Sequence, residues 1–276
     1  MGKLIQYSTT ASRIDDGVAW RSSGMGYLLC TESCELCVID VGTHEDAEGI
    51  LTLLEAQTEG KPVVCIWIVT HPHLDHYGVL QAICEREDLA ARVDIQKIVH
   101  YFPSPEQFED KRAVAGWEMM KKILAKTGAA EYIPTIGEKF SLDSLEFHIL
   151  NTPVDSSICK DANQISLIFT VQGKEQKIMF TGDAGIRNLQ MVMWREFPDL
   201  SCDVLQMPHH GLCDTGLKEF YEAVNAHTLL IPTSKANVKE MRENEYYRSL
   251  SASNLWAEEN ATAIYKTYEG PVELPL

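Results

Sequence analysis

The chain has 276 residues, enough for one large domain with a substantial core. Hydrophobic residues make up 45% and charged residues 23%, an ordinary balance for a soluble globular protein, and no apolar run reaches the roughly 20 residues that cross a bilayer. A net charge of -16 argues against a tight nonspecific grip on nucleic acid, which needs a basic face.

The opening residues, MGKLIQYSTTASRIDDG, lack the apolar h-region of a signal peptide. The eight cysteines then read as free thiols in a reducing compartment, so a cytoplasmic protein is expected. MGYLLC and LCVIDVG read as two strands joined by a polar turn. HEDAEGILTLLEAQTEG reads as a helix, with Ala47, Ile50, Leu51 and Leu54 on one face. KPVVCIWIVT is expected as a buried strand, YGVLQAICEREDLA as a helix and VDIQKIVHYF as a strand. SPEQFEDKRAVAGWEMMKKILAKTG is expected as one long helix, capped by Ser104 and ended by Gly128. In the second half, KFSLDSLEFHILNTP, QISLIFTVQG and QKIMFTGDAG read as successive strands. A helix in IRNLQMVMWREF, a strand in SCDVLQMP, a helix in GLKEFYEAVNA and a strand in HTLLIPTS follow. A helical stretch over 239–259 and a closing strand in ATAIYKTYEG complete the chain. Helices between strands in both halves predict two sheets packed face to face with helices outside. With no repeat and no linker, residues 1–276 are expected to form a single domain.

Polar clusters sit just past several of the apolar runs. VID ends in Asp40, IWIVT runs into His71, His73, Asp75 and His76, KIMFTGD ends in Asp183, and DVLQMP runs into His209 and His210. Parallel strands can deliver all of these to one sheet edge, where rigid scaffolds carry their binding loops. Histidine with carboxylate suits zinc, manganese or iron better than magnesium or calcium. The ligand count exceeds the need of one tetrahedral ion, so two divalent metal ions are expected. A pair about 3.5–4 Å apart can share a carboxylate and a hydroxide, and lowers the pKa of bound water to roughly 7. Taken alone, the histidine loop is a polar surface loop, Asp183 a turn residue and His209-His210 a solvent-facing pair; their occurrence together favours a site. CTESCELC offers a rival C-x3-C-x2-C spacing, like the cluster-binding triplet of radical SAM enzymes, but it straddles a predicted hairpin.

The spacing His71-x-His73-x-Asp75-His76, with Asp40 upstream and Asp183 downstream, resembles the metallo-β-lactamase superfamily over about 25–270. NQISLIFTV, KIMFTGD, CDVLQMPHHG and AIYKTYEG further resemble the hydrolase domain of the ComEC competence proteins and the bacterial phosphorylcholine esterases. The resemblance implies an α/β fold, the four-layer αββα metallo-β-lactamase sandwich. It implies His71 and His73 on a first metal, Asp75 and His76 on a second, and Asp183 between them. One of His209 and His210 would complete the second site. His210 is favoured as the ligand, which leaves His209 to face substrate as a hydrogen-bond donor or general acid. Asp40 would orient a ligand histidine.

Many members supply a third histidine to the first metal from a TPGH turn. Here the turn is NTPVDSS, with Asp155 in that place and Asn163 nearby, so the first metal is either completed by Asp155 or left open. The reaction implied is metal-dependent hydrolysis of a phosphoester, of phosphodiester type, with Asp75 and His209 closest to the chemistry and zinc as the expected ion. A thioesterase- or lactonase-like hydrolase of the same fold, and a catalytically quiet metal-binding module, are the alternatives. The expected partner is a small-molecule or phosphoester substrate; oligomeric state is not legible.

Overall fold

The computed structural model describes residues 2–20, 23–102, 104–107, 109–152, 161–213 and 215–276. Strands β1 (Lys3–Gln6), β2 (Gly26–Cys30), β3 (Leu36–Asp40), β4 (Val63–Val69), β5 (Val93–His100) and β6 (Ala130–Tyr132) belong to one sheet. Strands β7 (Lys139–Leu142), β8 (Leu145–Asn151), β9 (Ile168–Gln172), β10 (Lys177–Phe180), β11 (Val204–Gln206), β12 (Thr228–Ile231) and β13 (Ala263–Lys266) form the other. The last strand, β14 (Val272–Pro275), returns to the first sheet and pairs antiparallel with β1. The orders are β14-β1-β2-β3-β4-β5-β6 and β13-β12-β11-β10-β9-β8-β7.

The helices are α1 (Thr10–Arg13), α2 (Ala47–Gln57), α3 (Leu74–Glu85), α4 (Glu87–Ala90), α5 (Lys111–Thr127), α6 (Ile186–Glu196), α7 (Lys218–Val224), α8 (Lys235–Glu243), α9 (Glu245–Leu250) and α10 (Ala252–Asn260). Strand alternation sorts the apolar side chains into three cores. Leu28, Val38 and Trp67 turn outward against Ile50, Leu54 and Leu80 of α2 and α3. Their neighbours Leu29, Ile39 and Ile68 turn inward against Phe169, Ile178 and Phe180 of the facing sheet. On the far side, Met179, Leu205 and Leu229 pack against Leu189, Val192 and Phe220 of α6 and α7. Three cores between helices, two sheets and helices make the four-layer αββα sandwich expected from the sequence.

Several boundaries differ from expectation. The residues read as one long helix divide into a short 3-10 turn at Pro105–Gln107 and α5, whose N-cap is Asp110 and not Ser104. The Asp110 side chain accepts from the Arg112 N–H at 2.9 Å, a cap bond that fixes where the helix begins. Gly128 ends α5 in the left-handed conformation, as expected. Gln164 and Ile165 belong to a 3-10 turn, Ala162–Ile165, and not to a strand. The helical reading over 239–259 becomes α8, α9 and α10, starting at Lys235. Strands β1, β6 and β14 were not expected; each has only three or four residues, too short to show periodicity.

What matters for the site is direction. β3, β4 and β5 run parallel, as do β10, β11 and β12. Their carboxyl ends therefore open on common edges, the position at which α/β sheets hold ligands.

Candidate metal centre

Asp40 ends β3 with its backbone left-handed, φ 55°, a strained conformation for a non-glycine residue. Strong local bonding holds it there. Its Oδ1 accepts from the Thr70 N–H at 2.8 Å, and its Oδ2 accepts from Thr70 Oγ1 at 2.9 Å. The same Oδ2 lies 2.9 Å from His76 Nδ1, and the side chain is fully buried. A buried aspartate accepting from Nδ1 fixes the imidazole tautomer and leaves the His76 Nε2 lone pair for the site interior. His210 is set the same way by a different partner: its Nδ1 donates to the Pro232 carbonyl at 2.8 Å.

The turns that carry Asp183 and the histidine pair are tied together by Gln206. Its Oε1 accepts from the N–H groups of Thr181 and Gly182, each at 2.8 Å, and its Nε2 donates to the Gly182 carbonyl at 3.1 Å. Gly182 has φ +53°, and a Cβ there would lie 2.8 Å from Thr70 Cβ. Only glycine lets the Asp183 turn abut the start of the histidine loop. His209 and His210 are both left-handed (φ 46° and 58°) with the His209 N–H bonded to the Gly182 carbonyl at 3.0 Å. Two consecutive residues in that region cost about 1–3 kcal/mol each, and such strain clusters where a chain must aim side chains.

The result is a hub. Asp183 Oδ2 lies 3.6 Å from His71 Nε2, 3.4 Å from His76 Nε2, 3.4 Å from His210 Nε2 and 3.7 Å from His209 Nε2. Asp75 Oδ2 lies 3.3 Å from His210 Nε2 and 3.6 Å from His76 Nε2. Donor atoms held about 2.1 Å from one ion in a tetrahedron are roughly 3.4 Å apart, so these spacings are those of a chelating set. The polar accounting agrees. Among the described residues, His71 Nε2, His76 Nε2 and Asp183 Oδ1 are buried with no hydrogen-bond partner. Buried groups are seldom left so unless an ion or water completes them. Two triads share this space, His71-His76-Asp183 and Asp75-His76-His210. They constitute a candidate dinuclear divalent-metal site.

Electrostatics divide the set. Burial pushes His71 well below the ordinary imidazole value, and the neighbouring His76 adds to the shift. Burial opposes charge on His76 too, but the carboxylates of Asp183, Asp40 and Asp75 outweigh it and raise His76 well above 6.5. The same contest, with Asp183 as the leading carboxylate, puts His210 at about 10. Burial would raise Asp183 and Asp75, but the surrounding histidines hold both well below the usual carboxylate range.

The other expected residues lie as follows. His73 is buried, its ring 4.7 Å from that of His71, but its Nε2 turns to Asp110 Oδ2 at 3.4 Å. It groups with Asp110 and Asp161 and not with the two triads. His209 is less buried, with 30% of its side chain exposed, and its Nε2 is 3.3 Å from Asn163 Nδ2. Burial lowers its pKa against the pull of Asp183. Asn163 Oδ1 is buried with no partner among the described residues. Asp155 lies outside the described residues. Sequence reading missed Thr70, Gln206, Asp110 and Asp161. Gln206 had a signal, a lone amide inside the apolar run DVLQMP. Asp110 had one as a good N-cap residue ahead of a helical pattern.

A buried set of histidines and carboxylates with unsatisfied donor atoms, at the carboxyl ends of strands from two facing sheets, defines a metal-dependent hydrolase. The chain belongs to the metallo-beta-lactamase superfamily, whose family model matches residues 23–231. ComE operon protein 3 of Bacillus subtilis (strain 168) is 26% identical over 170 residues, which are 62% of this chain. The match spans only 20% of that longer protein. Among solved structures, the metallo-beta-lactamase fold protein YhfI from Bacillus subtilis is similar at TM-score 0.56 and 12% identity, covering 99% of this chain and 100% of that one. CmlA, a diiron beta-hydroxylase from Streptomyces venezuelae, is similar at TM-score 0.55 and 12% identity, covering 99% of this chain and 54% of its own. At such identities these two show a shared fold only. No helix among the described residues is long and apolar enough to cross a membrane.

Proposed function

We propose that the chain hydrolyses phosphoesters, of the phosphodiester type, using two divalent ions, with zinc the physiological ion. We place it in the branch that holds the ComEC hydrolase domains and the phosphorylcholine esterases. The likeness to ComE operon protein 3 supports that branch, although it reaches a fifth of that protein's length. In this reading Asp183, His71, His73, Asp75, His76 and His210 hold the ions. Asp155 or an open position completes the first, and Asp40 orients His76. The bound pair would supply Lewis acidity toward a phosphoryl oxygen and a water deprotonated near neutral pH.

The observation that carries the substrate class is the His209–Asn163 pair. The two polar groups lie 3.3 Å apart at the hub, the histidine partly exposed and the amide oxygen unsatisfied. Asn163 Nδ2 keeps a second N–H beyond the one directed at His209, beside the Asp183 carboxylate that lies 3.7 Å from His209 Nε2. An anionic phosphate oxygen takes up such N–H donors, and His209 is the group placed to hand a proton to the leaving oxygen. Asp75, held ionised beside His210, is the carboxylate placed to accept a hydrogen bond from the attacking water and orient it. The experiment is a screen of zinc-loaded protein on bis-p-nitrophenyl phosphate, a phosphomonoester, a thioester and a lactone. Fastest turnover of the diester is expected; a thioester or lactone turned over faster would overturn the assignment.

A further inference from the structure

We propose that helix α5 braces the first half-site, with Asp110 as the positioning residue that sets His73. The inference rests on the two-ion reading above, and it concerns which part of the fold prepares one of the two ion positions.

Helix α5 touches the His71-Pro72-His73 turn at two separate points. The first is Asp110. Its Oδ1 accepts from the backbone N–H of Arg112 at 2.9 Å and from Arg112 Nε at 3.2 Å, and its Oδ2 accepts from the Arg112 guanidinium at 3.1 Å. A carboxylate bonded to its own helix in this way has little freedom. That fixed Oδ2 faces His73 Nε2 at 3.4 Å. An ionised carboxylate accepts and does not donate, so Nε2 carries the proton and Nδ1 is the ring nitrogen left for an ion. The second point is Gly116. A Cβ there would stand 2.8 Å from Pro72 Cβ and 3.1 Å from the Pro72 carbonyl carbon, so the helix backbone lies directly on the residue between the two histidines. A side chain at position 116 would push helix and turn apart.

Asp161 joins His73 and Asp110 in one group of close donor atoms. Arg112 already places a positive charge against Asp110, and its own pKa is raised by hydrogen bonding to Asp110 with Asp161 contributing through its charge. Arg112 offsets one of the two carboxylate charges, and the group's place against the turn holds His73. The corresponding partners in the other half-site are Asp40 for His76 and the Pro232 carbonyl for His210. Both of those lie at strand ends, whereas Asp110 caps a helix.

Asp110→Ser separates the two roles of the side chain. Serine is a good N-cap but is too short to reach His73. In metal-free protein, nitrogen-edited NMR of the histidines should show His73 as the Nε2–H tautomer in the wild type and as a mixture in Asp110→Ser. Competition with a chelator, with stoichiometry read by native mass spectrometry, should show the affinity for one zinc lowered about 10- to 100-fold and the other unchanged. Asp110→Asn keeps the cap and an acceptor oxygen, and should restore most of that affinity. An unchanged tautomer and unchanged affinities in Asp110→Ser would overturn the proposal. So would equal weakening of both zincs with a lower melting temperature of the metal-free protein, or no rescue by asparagine. Wild-type protein that binds fewer than two zincs would overturn the two-ion reading instead, and the tautomer comparison would still decide the role of Asp110.

Discussion

The two halves of the HxHxDH loop stand on different supports. Asp75 and His76 lie at the start of α3 and meet Asp183 and His210 from the facing sheet, with Asp40 at 2.9 Å behind His76. His71 reaches Asp183 from the same edge, but His73 leans outward to α5. The second half-site is thus assembled from loops at the carboxyl ends of strands in both sheets, while the first depends partly on how a helix docks. The halves also differ in charge before any ion arrives. The carboxylates raise His76 and His210 above the ordinary imidazole value, whereas burial lowers His71 well below it.

The strongest test of this comparison removes what the halves share. Asp183→Ala should lose both ions and reduce turnover to background, measured by metal analysis and by diester hydrolysis; retained activity would refute its place at the hub. His209→Ala belongs to neither half. It should lower kcat about 100- to 10,000-fold while metal content stays at the wild-type level, and a parallel loss of metal would mean that His209 is a ligand. Asp40→Ala should act on the second half alone, weakening one ion about 10- to 100-fold. Equal weakening of both would erase the distinction between the halves.

His210, at about 10 in the metal-free protein, must release a proton to bind an ion. Affinity at the second half-site should therefore rise about tenfold per pH unit for each proton displaced, and level off only near pH 10. The position that His71 holds should depend less on pH, because burial lowers that histidine well below 6.5. For the metal-free fold the sign reverses. A raised histidine pKa adds stability that is complete below 6.5 and disappears as pH rises through about 10. Zinc titrations at pH 6 and pH 8 check this; two affinities that move together would contradict it.

Much of the scaffold was legible because long strands and helices carry strong periodicity. β4 falls within two residues of expectation at both ends and α2 within three, since their apolar spacing reports directly on what they bury. The short strands β1, β6 and β14 were not legible, because three or four residues are too few to carry a pattern. The polar residues of the site were visible as a spacing, but not their supports. Thr70, through its own N–H, and Gln206, through the N–H groups it accepts from, use backbone groups that a sequence does not display. Asp110 was hidden for a different reason. Reading 104–128 as one helix placed it in the interior of that helix, where its capping role and its reach to His73 could not be seen.

The central claim is a dinuclear centre with Asp183 between the ions. Anomalous diffraction at the zinc edge from crystals of the zinc-loaded protein tests it most directly. Two peaks about 3.5–4 Å apart, one on each side of the Asp183 carboxylate, are predicted. A single peak, or a pair in which neither lies within bonding distance of Asp183, would contradict the account.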